Sequence, residues 1–322
     1  MKVPRSTLKR PLLSLSAAVL VIAAAAMLGR RQLQCGNVQQ HAPGAKFADL
    51  LGLLNIGRQD LIAGKIAEVN LLCAQGLSGA DNLQLSALLG TLDRMAERVK
   101  SETDRHWYRF QRNPAEFENS EGFFQMLMLS VVLAEDFGIH YDEACKSDPA
   151  KTSAADGFFA HPEDVFLHGL LGPNRQGTCS SMPVLYVAVG RELGYPLKLV
   201  TTKAHLFVRW AGAGERFNIE STSHGLNRFS DEYYRHWPFD ITPAEEAAQG
   251  YLKSLTPPEE LAVFLSIRGM CLRESGKISE AADAFSAAAR LAPGCQAYRD
   301  MQANLERKFR SPTQRDSLAN SP

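Results

Sequence analysis

Three side chains in the second half of this chain have the types and the order for nucleophilic chemistry. Cys179 stands in "GTCSS", a polar and flexible setting at the start of an apolar run, whereas most cysteines pack as small hydrophobes. His205 follows in "AHLFVRW", and Asn218 and Glu220 follow in "RFNIEST". A thiol attacks as its anion, so it needs a base to take its proton and a third group to orient that base. Cysteine, then histidine, then an acid or amide supplies such a set. Two other readings compete. Cys179 could be a buried structural thiol, or Cys179, His205 and His224 could bind zinc. No Cys-x-x-Cys or His-Glu-x-x-His spacing supports the metal, and neither metal nor cofactor is expected.

The neighbouring elements must position these groups. Pro173 and Gly177 mark a loop, and from Ser180 the run "MPVLYVAVGRELG" has helical spacing, with Leu185, Val189 and Leu193 on one face. Pro183 is tolerated in a first turn, and Gly194 ends the helix. Cys179 therefore falls at a helix N-terminus, where unpaired backbone N–H groups and the dipole favour a thiolate. "YPLKLVTT" reads as a strand. A second strand starts at His205, with Leu206, Val208 and Trp210 alternating with Phe207 and Arg209, and "RFNIEST" follows after the turn "AGAGE". Attack on a carbonyl also requires oxyanion donors. The Cys179 backbone N–H and the Gln176 amide are candidates, although a loop glutamine is usually just solvated.

The stretches "GTCSSMPVLYVAVGRELGYPL", "AHLFVRW" and "FNIEST" resemble the transglutaminase-like superfamily, most closely its bacterial SirB1-type branch, over roughly residues 115–245. The resemblance implies an α+β chain with a papain-like core, in which Cys179 is the nucleophile, His205 the base and Glu220 the orienting acid. It implies chemistry at an amide, by hydrolysis or acyl transfer to an amine, on a protein or peptide substrate. The superfamily usually carries Asp at the third position, and Glu220 is one methylene longer. Three consequences are open: the strand pairing shifts slightly, Asn218 orients the ring as an amide does in papain-like enzymes, or the triad is degraded. In the last case the chain is a non-catalytic module used for protein binding.

The surrounding segments divide by pattern. Residues 47–112 read as a helical subdomain, with Leu88, Leu92, Met95 and Val99 in one stripe. Residues 113–250 form the expected core, with Ser120 as N-cap of a helix that is apolar nearly all round. Tyr233, Tyr234, Trp237 and Phe239 cluster near its end, either capping the core or walling a cleft. In 255–310, Gly269, Leu272, Ala281, Phe285, Ala288 and Pro293 stand at the spacing of one tetratricopeptide-like repeat. Arg268 occupies a position that is usually apolar. One repeat cannot form a full groove, so packing on the core is the simple reading and docking of the substrate the alternative.

Composition bounds the rest. The 322 residues are 45% hydrophobic, and 35 basic side chains balance 35 acidic ones, which gives no footprint for nucleic acid. The six cysteines show no framework. Cys271 and Cys295 could pair across two helices or remain buried thiols. His161, His168 and His236 have no partner at ligand spacing. Lys2, Arg5, Lys9 and Arg10 precede the uncharged run 11–28, within an N-terminal segment 1–35. That run is long enough for a single-pass membrane anchor with its N-terminus inside and the main domain outside the cytoplasm. Its competitor is a secretory signal cleaved after residue 26, giving a secreted protein. Residues 36–46 read as a linker and 311–322 as a disordered tail.

Overall fold

The computed structural model describes residues 50, 65–142, 157–212, 214–222 and 226–309, all within one compact unit, Pro43–Pro322. Helix α1 (Ile66–Ala74) is buried along its whole length, and its Asn70 Oδ1 accepts the Leu167 backbone N–H at 2.9 Å. Helix α2 (Leu85–Arg112) is amphipathic and buries Leu89, Leu92, Met95, Ala96 and Val99. Helix α3 (Glu121–Glu135) starts where Ser120 Oγ accepts the Phe123 N–H at 2.9 Å, a side-chain N-cap. Strands β1 (His140–Tyr141) and β2 (Gln176–Gly177) form a short parallel pair, with helices α4 (Pro162–Val165) and α5 (Leu167–Leu171) between them in the chain.

Helix α6 (Met182–Glu192) is buried from Met182 to Gly190, as its nearly continuous apolar sequence requires. It leads into an antiparallel meander of β3 (Leu197–Thr202), β4 (His205–Gly212) and β5 (Glu215–Ile219). Thr202 pairs with His205, and Arg209 with Asn218. The period-2 alternation of β4 gives the sheet two buried faces. Leu206, Val208 and Trp210 join the main core with α6. Phe207 joins a second cluster with Val200, Tyr234 and Leu252, covered by α7 (Asp231–His236). A further short helix, α8 (Pro243–Gln249), follows. The architecture is mixed helix and strand, as an α+β chain should be.

Three helices end the described chain: α9 (Pro257–Glu274), α10 (Ile278–Leu291) and α11 (Gln296–Phe309). Gly269 must be small, because a Cβ there would lie 2.8 Å from the Phe285 ring. Ala281 and Ala288 are fully buried for the same close approach. Arg268 departs from an apolar position for a specific reason: its Nη1 donates to the carbonyls of Cys73 and Gln75, at 2.9 and 2.7 Å, and caps the C-terminus of α1. One core cluster runs from Ile66 to Leu305, so these helices share their interior with α1 and α6.

One expectation is corrected. The membrane anchor, and the placement outside the cytoplasm or in the medium that followed from it, is withdrawn: among the described residues no helix is long and apolar enough to cross a membrane. The longest, α2, carries charged side chains in nearly every turn, and the apolar α3 has only 15 residues against the roughly 17–25 needed. The run 11–28 lies outside the described residues, as do the linker 36–46 and the tail 311–322. Of the two readings left open for Cys271 and Cys295, the structure has the free thiols, as it does for Cys73 and Cys179. Burial pushes Cys73 and Cys271 up to about 12, which suits inert core thiols.

Candidate active site

The polar "GTCSS" segment is a knot that fixes Cys179. Thr178 Oγ1 and Ser181 Oγ both donate to the Asp164 carbonyl of α4, at 2.9 and 2.8 Å. Ser181 Oγ also accepts the Thr178 N–H at 3.1 Å. Gly177 is required before them, because a Cβ would meet Leu170 and Ser181 Oγ at 2.8 Å. The Met182 N–H then reaches the Thr178 carbonyl at 3.0 Å, which starts the first turn of α6. Cys179 sits inside that turn, two residues before the N-cap Ser181 and only 9% exposed.

His205, at the start of β4, is 5% exposed and hydrogen-bonded to Glu220. Its Nε2 lies 2.9 Å from Glu220 Oε2, and Cys179 is close enough to the ring to help raise its pKa, the two lining the same cavity. Glu220 directly follows β5 and is 3% exposed. Continuing the β4–β5 register, in which Val208 faces Ile219, sets Glu220 opposite Phe207. The carboxylate therefore approaches His205 along the diagonal of the ladder, a longer path than a direct pair. The additional methylene of Glu supplies that reach.

The carboxylate is saturated with donors. Glu220 Oε1 accepts the Thr222 N–H at 3.0 Å and the Thr222 hydroxyl at 2.6 Å. Oε2 accepts the Tyr234 hydroxyl at 3.1 Å beside the imidazole. Burial alone would raise its pKa, but the facing His205 and the Thr222 hydrogen bonds hold it below the ordinary value. Burial would likewise depress His205. The Glu220 charge and the neighbouring Cys179 outweigh this and raise the imidazole to about 10. Burial and the adjacent Glu220 charge push Tyr234 well above the usual phenol range, so it remains a donor.

Aromatic rings close the back of the site. Tyr234 stacks on Phe207 with centroids 3.8 Å apart, and the Trp237 ring meets the His205 imidazole edge-on at 4.7 Å. Tyr233 stacks on Phe229 beside them. None of these rings lines the cavity in front of the thiol, so they pack behind the site.

That cavity has a volume of about 350 Å³, with Cys179, Ser180 and His205 on one side. Its opposite wall comes from the C-terminal helices: Val263 and Ile267 of α9, and Tyr298 and Met301 of α11. Phe158, Tyr251 and Leu255 also line it.

The structure thus brings Cys179, His205 and Glu220 together and places Gln176 and Asn218 elsewhere. Gln176 pairs with His140 in the β1–β2 ladder and does not line the cavity. Asn218 accepts from Arg209 Nε at 2.8 Å and donates to Asp231 and to the Phe229 carbonyl, so it braces a buried arginine instead of orienting the imidazole. His224 lies outside the described residues, and no group of three or more potential metal ligands occurs among the described ones. His161 and His236 are exposed, while His168 is buried on α5. Sequence reasoning missed Thr222 and Tyr234 as donors to Glu220; only the proximity of Thr222 in "EST" hints at the first. It also missed the wall supplied by α9 and α11.

A buried carboxylate–imidazole–thiol chain opening on a cavity can generate a thiolate and shuttle one proton. No family model, curated protein or solved structure matches this chain, so the geometry of these residues carries the functional argument alone.

Proposed function

We propose that this chain is a transglutaminase-like thiol enzyme that cleaves an amide and passes the acyl group to water or an amine. The observation that carries the reading is the linked set Cys179–His205–Glu220, joined through one imidazole and buried beside a cavity. The Cys179 sulfur attacks the carbonyl carbon with its proton held on His205. The C–N bond then breaks, and the departing nitrogen takes the proton from the imidazolium. A thioester remains. Water or an amine gives a proton to His205 and attacks the thioester carbon, and the sulfur is released while His205 keeps that proton. Glu220 stays ionised throughout and holds the ring in one tautomer, with Thr222 and Tyr234 holding Glu220.

A module kept only for protein binding has no use for this arrangement. Ionisable groups with strongly shifted pKa values gathered beside a cavity cluster where chemistry is done.

The test is acylation by an activated ester, p-nitrophenyl acetate. A burst of one equivalent of nitrophenol, with the acetyl group on Cys179 by peptide mapping, is expected. Cys179→Ser should abolish the burst and His205→Ala should slow it. Acetylation scattered over lysines with Cys179 unmodified would overturn the proposal.

A further inference from the structure

The cavity in front of Cys179 differs in character from the polar knot that holds the thiol. The wall furthest from the knot is apolar: Val263, Ile267, Tyr298, Met301 and Leu255 line it, and most are already largely out of water. Several of the polar side chains that reach it are committed to internal partners. Gln249 Oε1 accepts the Ala297 N–H at 2.8 Å and the Cys295 thiol at 3.6 Å. Glu259 closes a capping box with Thr256, accepting its N–H at 2.7 Å and its hydroxyl at 2.6 Å. Thr202 donates to the Tyr234 carbonyl at 2.9 Å, Ser266 to the Val263 carbonyl at 2.8 Å, and Tyr298 bonds to Ser266. Lys253, the lining residue with a cationic head, is exposed.

A polar substrate group entering this space loses its water and finds few free partners, whereas an apolar group loses nothing. The volume of about 350 Å³ stands at the small end of ligand pockets, which span roughly 300–1,000 Å³. It suits one bulky side chain with the adjoining backbone and is too small for a long peptide segment.

We infer that the cavity selects the acyl side of the substrate: an amide whose acyl residue carries a large apolar side chain, received against Val263, Ile267, Tyr298 and Met301. The helical repeat is then the specificity wall of the active site, and its contribution is to substrate choice and not to the chemistry at sulfur. This inference rests on Cys179 being the nucleophile. The two ideas separate experimentally because a small electrophile tests the thiol alone.

Full-length protein is treated at neutral pH with iodoacetamide, with the chloromethyl ketone of N-acetyl-phenylalanine, or with that of N-acetyl-glutamate. The rate at Cys179 is followed by mass spectrometry. The phenylalanine reagent should react at least about tenfold faster than the glutamate reagent. Met301→Trp, at a half-buried position, should fill the cavity and erase most of that preference, read as the ratio of the two ketone rates within the variant. Val263→Phe gives the same readout from α9, and melting temperatures identify folded variants. Equal rates for the two ketones, with iodoacetamide still labelling Cys179, would overturn the inference and leave the nucleophile standing. Failure of iodoacetamide to label Cys179 at neutral pH would overturn both.

Discussion

Glu220 reaches His205 across the diagonal of the β4–β5 ladder, with Oε2 2.9 Å from Nε2, and three further donor contacts from Thr222 and Tyr234 hold the carboxylate in place. The long side chain and the diagonal path belong together. Glu220→Gln keeps the shape and removes the charge that stabilises the imidazolium, and should lower Cys179 reactivity by about 100-fold. Glu220→Asp keeps the charge but draws it away from the ring, and should fall between Gln and the wild type. Asn218→Ala, which disturbs only the Arg209 brace, should leave the alkylation rate of Cys179 unchanged.

The pair also fixes a pH window for stability. His205 titrates near 6.5 when unfolded and near 10 when folded, so its contribution is complete below 6.5 and fades as pH rises toward 10. Glu220 is depressed from an ordinary 4.5, so its contribution is present above that value and is lost as the solution is acidified through the folded pKa. The difference in melting temperature between wild type and Glu220→Gln should therefore be largest between about pH 5 and 6.5 and shrink on both sides. Thermal melts from pH 3 to 10 give this directly.

Tyr234→Phe isolates one donor. The ring keeps its stack on Phe207, but Glu220 Oε2 loses a hydrogen bond in a dry site. Stability should drop by about 1 kcal/mol, and Cys179 alkylation should slow several-fold. An unchanged alkylation rate in a folded variant would reduce Tyr234 to a packing role.

Much of the site's framework is readable from local pattern. Ser120 as a cap, the burial of α6 and the alternation along β4 each depend on residues within one element, which sequence periodicity reports directly. Cys179, His205 and Glu220 stand at element boundaries, so their order along the chain survives folding. What was not readable depends on elements meeting in space. Arg268 looks anomalous until α1 is seen to end beside it. Thr222 and Tyr234 gain meaning only once Glu220 turns toward His205. The apolar run 11–28 suggested a membrane span by composition alone, and nothing among the described helices supports that localisation.

The C-terminal helices and the core should melt as one. Ala281 has no exposed surface where α10 meets its neighbours, so Ala281→Trp should overpack the contact and cost roughly 1–3 kcal/mol. Arg268→Met strands two carbonyls at the end of α1 and should cost a similar amount, about 1–3 kcal/mol. Both should shift a single cooperative transition in calorimetry. A separate low-temperature transition would mean that the C-terminal helices fold independently of the site they line.

The most direct test of the central claim is the pH dependence of Cys179 alkylation by iodoacetamide, measured in wild type and in His205→Ala. The account expects wild-type Cys179 to be labelled rapidly at near-neutral pH, and the variant to be labelled only as pH becomes alkaline, as a free thiol is. Superimposable profiles for the two proteins, both alkaline, would contradict it and leave Cys179 an ordinary buried cysteine.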